Sequence, residues 1–82
     1  MSQRPLFQIA AEIAADWTAR RGAAQPYIDG MRELQLATER YGTETGSGMI
    51  QGFLNNAQTW RGAVARRIKD ELRAILKDHP PD

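Results

Sequence analysis

The chain has 82 residues and no cysteine, so it fits one domain and excludes a disulfide framework and a thiolate metal site. Its formal net charge of +1 requires neither nucleic acid nor a membrane as a partner. A domain this short buries only about 60% of the surface of its unfolded chain, so it depends on good helix packing or on self-association. No long apolar run follows Met1, which predicts no signal peptide, no membrane segment and a cytoplasmic location.

The first predicted helix covers residues 5–21. Its apolar residues are spaced three and four apart, which is the period of one helix face. These residues are Leu6, Ile9, Ala10, Ile13, Ala14 and Trp17. Pro5 suits a first turn, where its missing N–H is not needed. Gly22, which follows two arginines, predicts the end of the helix.

The second predicted helix covers residues 26–41 and is the weaker of the two. Its apolar face consists of Tyr27, Met31, Leu34 and Tyr41. Gly30 lies inside it and costs about 1 kcal/mol relative to Ala. Leu36 falls outside the apolar face, and Gly42 is interpreted as the C-terminal stop. A polar linker over residues 43–48 follows, with helix-capping residues at Thr45 and Ser47.

The last predicted helix covers residues 47–77 and has the longest apolar stripe. The stripe keeps steps of three and four throughout. Its members are Ile50, Phe53, Leu54, Ala57, Trp60, Val64, Ile68, Leu72, Ile75 and Leu76. One continuous helix would be about 45 Å long. Poor helix formers near residues 55–59 equally favour a break, with Thr59 capping a new helix from Trp60.

These elements predict an all-α fold, a small bundle of three helices, or of four if the last segment breaks. Helices 1 and 2 form an antiparallel pair, and the long C-terminal helix packs against both. No β-strand is predicted, because no stretch alternates apolar and polar residues. Residues 78–82 are predicted to be a disordered tail of this single helical domain, residues 1–82.

No catalytic or metal-binding motif stands out, so we predict no enzymatic activity, no cofactor and no metal. His79, the single histidine, lies in the predicted tail, where nothing would position a general base. The carboxylates lie on predicted outward faces, and the chain has no Glu-x-x-His pair of the kind that holds metals in helical bundles. The linker lacks the glycine and lysine pattern of a phosphate-binding loop.

The leading functional hypothesis is a non-enzymatic protein that binds a protein partner or a second copy of itself. If the last helix is continuous, part of its stripe extends beyond the shorter helices, and exposed apolar surface usually marks an interface. Trp and Arg are also the residue types most common at binding hot spots, although core packing is the commoner role for Trp17 and Trp60. The predicted partner contacts are Trp60, Arg61, Val64, Ile68, Leu72 and Leu76.

The alternative hypothesis is a small nucleic-acid-binding protein. From Trp60 to Lys77 the chain has six basic and two acidic residues, a formal net charge of +4. The predicted phosphate contacts recur at three or four residues and are Arg66, Lys69, Arg73 and Lys77. A solvated face neutralised by the four-apart pairs Arg66–Asp70 and Arg67–Glu71 explains the same charges. The low charge of the whole chain favours this second explanation.

The C-terminal half of the chain resembles a group of known proteins. Residues 53–62 (FLNNAQTWRG), continuing to residues 65–66 and 69–72 and taken with Tyr41–Gly42, resemble small uncharacterised proteins encoded by actinobacteria and their phages. The resemblance covers roughly the last 40 residues of the chain. It implies a cytoplasmic, phage- or prophage-related accessory protein in a bacterial host, and it transfers no activity and no residue role.

Overall fold

Residues 4–81 are described by a computed structural model, in which they form four α-helices and one short two-stranded sheet. The elements are α1 (Leu6–Asp16), α2 (Gln25–Met31), β1 (Arg40–Tyr41), β2 (Glu44–Thr45), α3 (Gly46–Asn55) and α4 (Ala63–Asp78). A 3-10 turn, Gly22–Ala24, leads into α2. The all-α class is confirmed, and the bundle has the four-helix form.

Helix α1 ends at Asp16 and does not continue to Arg21 as predicted. Trp17 leaves the helical conformation, with φ −91° and ψ 84°, and its side chain is buried in the core. The Arg21 guanidinium donates hydrogen bonds to the carbonyls of Trp17 at 2.8 Å and Ala14 at 3.0 Å. These carbonyls would have been bonded within a longer helix. The predicted boundary was wrong because burial of Trp17 and this side-chain cap outweigh local propensity.

Helix α2 has only seven residues and stops well before the predicted residue 41. The chain beyond it contacts the start of α1 instead. The carbonyls of Leu34 and Gln35 accept the N–H groups of Phe7 at 2.9 Å and Leu6 at 3.0 Å. N–H groups in a first turn have no partner within their own helix. The predicted length was wrong because this loop supplies partners that a longer α2 could not.

The segment before α3 forms a hairpin that the sequence did not predict. Arg40 pairs with Thr45 in an antiparallel register. Gly42, interpreted as a helix stop, lies in the hairpin turn with φ +67°, a conformation that favours glycine. Thr45 Oγ1 then accepts the N–H of Gly48 at 3.0 Å, so the predicted cap at Thr45 is confirmed.

Helix α3 begins in close contact with the loop that follows α2. The N–H of Gly46 donates to the Glu39 carbonyl at 2.7 Å, and the N–H of Ser47 donates to the Ala37 carbonyl at 2.9 Å. A Cβ atom on Gly46 would lie 2.8 Å from backbone atoms of Leu36 and Ala37. Glycine at this position therefore permits the approach that anchors α3.

The predicted last helix is broken between α3 and α4, across residues 56–62. Of the two alternatives that the sequence left open, the broken helix is observed. Gly62 precedes α4 with φ +117°, a conformation that L side chains rarely adopt. Helix α4 begins at Ala63, so the predicted cap at Thr59 and start at Trp60 were wrong.

The break lets the two halves of the apolar stripe pack on different helices. Helix α3 packs mainly on α2, and α4 packs on α1 and α3. The buried members of the stripe are Ile50, Phe53, Ala57, Trp60, Ile68, Leu72 and Ile75. Leu54, Val64 and Leu76 pack against this core and are partly buried. The stripe thus closes a core within the described chain and does not overhang.

The C-terminal end differs from the predicted disordered tail. Helix α4 extends through Asp78, and Ser47 Oγ donates a 2.6 Å hydrogen bond to the His79 carbonyl. This bond ties the end of α4 to the start of α3. The last predicted tail residue, Asp82, lies outside the described residues.

Candidate functional site

Helix α4 carries charged side chains on both flanks of its buried stripe. We call the flank with Arg67 and Glu71 the network side. We call the flank with Arg66, Lys69 and Arg73 the cavity side. Both flanks carry arginine, but the neighbours of these arginines differ.

On the network side, four charged groups neutralise one another. Nε and Nη2 of Arg4 donate to the two carboxylate oxygens of Glu71 at 2.9 and 2.7 Å, which is a bidentate pair. Nη1 of Arg4 lies 2.9 Å from Oε1 of Glu12, an ion contact without hydrogen-bond geometry. Arg67 Nη2 donates to the other carboxylate oxygen of Glu12. The network therefore joins α4 to α1 and to the segment before α1.

The network shifts the pKa of two of its members, Glu12 and Arg4. The hydrogen bond from Arg67 holds the pKa of the Glu12 carboxyl below its usual range, and the Arg4 guanidinium adds to this effect against the opposing effect of desolvation. The contact with Glu71 is the main reason why the pKa of Arg4 is raised. Both groups therefore stay charged at neutral pH, where they stabilise the folded chain.

The predicted four-apart pairs within α4 were wrong. Arg67 and Glu71 bond across to other segments, as described above, because those partners approach the helix from the side. Within residues 4–81, Arg66 forms no ion pair. Asp70 lies 3.3 Å from Arg73, three residues away, and both of these side chains are more than 60% exposed. An exposed pair of this kind neutralises little charge.

A cavity of about 520 Å³ opens on the cavity side, at the N-terminal end of α4. Four cationic residues line it, namely Arg61, Arg66, Lys69 and Arg73. The other lining residues are Trp60, Gly62, Ala63 and Ala65. In the part of the chain that the structure describes, no carboxylate lines this space, so the only charged groups there are positive.

Lys69 is the most restrained of the four cations. Its Nζ atom donates to the Trp60 carbonyl at 2.6 Å and lies 5.9 Å from the centre of the Trp60 ring. Desolvation lowers the pKa of Lys69, and the positive charges of Arg73 and Arg61 lower it further. These three cations therefore lie close enough to repel one another, and within residues 4–81 only Arg73 of the three has an ion-pair partner, the exposed Asp70.

The tryptophan beneath the cavity is sealed into the core. Trp60 stacks on Trp17 with ring centres 5.7 Å apart and an interplanar angle of 6°, and Phe53 packs against both rings in a T-shaped arrangement. Trp60 Nε1 donates to Asp16 at 2.9 Å, and only 3% of Trp60 is exposed. The cavity therefore offers a ligand positive charge and hydrogen-bond donors, but no aromatic face on which a base could stack.

The predicted partner contacts fall into two environments. Trp60, Ile68 and Leu72 are buried, and Val64 and Leu76 are partly buried against the same core. These five side chains pack inside the chain because the break at residues 56–62 folds α4 back. Arg61 alone of this set is exposed, and it lines the cavity.

Of the predicted nucleic-acid contacts, Arg66, Lys69 and Arg73 meet at the cavity. Lys77 is exposed farther along α4 and does not line it. Arg61, which the sequence predicts as a partner contact, also lines the cavity, because the chain breaks across residues 56–62 before α4 begins. Gly62, which follows Arg61, is the sequence signal for a turn at this position and for a helix that begins just after it.

No protein-family model matches the chain, and no curated protein or solved structure is significantly similar to it. No relative therefore assigns a role to any residue of the cavity. Among residues 4–81, no helix is both long and apolar enough to cross a membrane. Over the same residues, no three acidic or histidine side chains are gathered as metal ligands would be.

Proposed function

We propose that this chain is a non-enzymatic nucleic-acid-binding protein that contacts phosphate groups through Arg61, Arg66, Lys69 and Arg73. The observation that supports the proposal is a cavity lined by four cations and, among the described residues, by no carboxylate. Guanidinium and ammonium groups are the side chains that bind phosphates most often.

The distribution of charge along the chain supports the same proposal. Residues 60–77 carry a formal net charge of +4, so the remainder of the chain carries −3. A molecule with a positive region and a negative remainder is oriented by the field of a polyanion before contact. The low net charge of the whole chain, +1, was a reason to favour a solvated face over nucleic-acid binding. That total does not show how the positive and negative charges are separated along the chain.

A protein partner or a homodimer stays a prediction, but it needs another surface. Most of the stripe predicted to supply it is buried, whereas Phe7 and Leu36 are each 48% exposed. The Phe7 N–H donates to the Leu34 carbonyl, so Phe7 and Leu36 lie on adjoining segments. Light scattering over a dilution series measures self-association directly. The phage-related accessory role and the cytoplasmic location also stay predictions.

The test is fluorescence anisotropy with labelled single- and double-stranded DNA and RNA over a salt series. We expect binding at low salt with a steep salt dependence, because phosphate contacts release counterions. The double variant Arg66→Glu/Arg73→Glu should bind at least about tenfold more weakly and should reduce the salt slope by about two. The matched control is Arg20→Glu/Arg32→Glu, which changes the total charge by the same amount at exposed positions away from the cavity.

Two results would contradict the proposal. The first is the absence of binding to any of these nucleic acids at low salt. The second is an equal loss of affinity in both double variants, because total charge and not the cavity would then account for the binding. Circular dichroism of each variant checks that the helices are retained.

A further inference from the structure

We infer that the cavity is a receptor for one dianionic phosphate monoester, the group found at a phosphorylated end of a nucleic-acid strand. This inference rests on the proposed function and names the part of the nucleic acid that enters the site. The same chemistry is present in free phosphate and in small phosphate esters, and the experiment below separates these sources.

The first reason is that the cations converge on one space. Arg66, Lys69 and Arg73 lie within eight residues of α4, which is about 10 Å along the helix axis. Arg61 comes from the connection before α4 and lines the same cavity. Each internal phosphodiester of a strand carries one negative charge. Four cations around a single concave space suit a group of higher charge.

The second reason is that the charge is uncompensated. On the network side, each arginine contacts a carboxylate, and the fold gains from it. On the cavity side, Arg61 and Arg66 have no ionic partner within residues 4–81, and Arg73 has only the exposed Asp70. Holding like charges together disfavours the folded state. A bound dianion would remove this repulsion, so binding and folding are coupled.

The third reason is the chemistry of the cavity wall. A phosphate monoester carries a charge of about −1.5 to −2 at neutral pH and has three acceptor oxygens. Arginine presents a planar fork of donors, and lysine adds a point charge. With Trp60 sealed and the other lining residues small, the wall distinguishes ligands by their charge and not by their base.

The experiment compares two oligonucleotides of one sequence, with a 5′-phosphate and with a 5′-hydroxyl. Anisotropy competition at constant ionic strength measures their affinities, and inorganic phosphate replaces chloride in a parallel titration. We expect the phosphorylated strand to bind about tenfold more tightly, since hydrogen bonds between charged groups are the stronger ones. We also expect inorganic phosphate to compete and to raise the melting temperature more than chloride does.

The variant for this test is Arg61→Gln/Arg66→Gln, which removes two exposed side chains that have no ionic partner in the described structure. It should keep its fold and lose the difference between the two strands. The control Arg20→Gln/Arg32→Gln should keep that difference. Because neither pair of substitutions removes a core contact, loss of folding does not confuse the result.

The outcomes separate this inference from the proposed function. If both strands bind equally and phosphate competes no better than chloride, the monoester receptor is overturned while nucleic-acid binding stands. If neither strand binds but inorganic phosphate raises the melting temperature of the native chain and not of the Arg61→Gln/Arg66→Gln variant, the receptor stands. Its ligand is then free phosphate or a small ester, and the proposed function fails.

Discussion

Arg66 and Arg67 are neighbours on α4, yet they meet opposite surroundings. Arg67 donates to Glu12 on α1 and belongs to a network that also holds Arg4 and Glu71. Arg66 turns to a cavity where the other charged groups are also positive. The role of a charged side chain on a helix therefore depends on what packs beside its flank. The network side neutralises its charges within the fold, whereas no carboxylate among residues 4–81 lines the cavity side.

We expect the largest effect from a substitution in the buried stripe of α4, which lies between the network side and the cavity side. Leu72→Asp places a charge at a position with no exposed surface, which should cost more than about 4 kcal/mol and abolish cooperative folding. Ala74→Asp, an exposed substitution on the same helix, is the control and should leave the fold intact. Urea unfolding followed by circular dichroism measures both. A folded Leu72→Asp protein would return the stripe to its predicted role as a partner contact.

An effect of intermediate size concerns the pH dependence of the network side. The folded-state pKa of Glu12 lies below its usual value of 4.5, so the network stabilises the chain above that pH. This stabilisation is lost as the pH falls from 4.5 through the lower, folded-state pKa. Glu12→Gln should therefore cost about 1 kcal/mol at pH 7 and less at pH 3, after allowance for solvent screening.

Thermal unfolding between pH 7 and pH 3 measures this difference. Glu33→Gln is the control, because Glu33 is exposed and belongs to no ion pair in residues 4–81. The difference in melting temperature between Glu12→Gln and the native chain should shrink as the pH falls. If it stays constant across this pH range, the loss comes from packing and not from the charge.

The smallest effect compares the two neighbours directly. Arg67→Ala should lower the free energy of unfolding by about 0.5 kcal/mol, since it removes a partly exposed ion pair. Arg66→Ala should cause no loss, because alanine favours helix slightly more and no ion pair is removed. Paired urea titrations at low and high salt measure both. The Arg67→Ala effect should shrink in high salt, and equal losses for the two variants would show that the ion pair of Arg67 does not stabilise the fold.

The spacing of apolar residues predicted the helical class and most of the core, although Tyr41, predicted on an apolar helix face, is 43% exposed. Ile13, Phe53 and Leu72 each belong to a set of apolar residues spaced three and four apart in the sequence, and each is buried. That spacing predicts which side chains of a helix face the core. Thr45 as a helix cap was equally readable, because its hydroxyl bonds to a backbone N–H only three residues away. Such features depend on neighbours in the sequence.

Only the tertiary structure decided where helices end and which charges are paired. Trp17 lies just past the end of α1 and stacks on Trp60. Arg4 binds Glu71, which is 67 residues away in the sequence. No local pattern contains such partners, since they come together only after the chain breaks at residues 56–62 and folds back. The cavity has the same origin, because Arg61 and the cations of α4 meet only once Gly62 turns the chain into the helix.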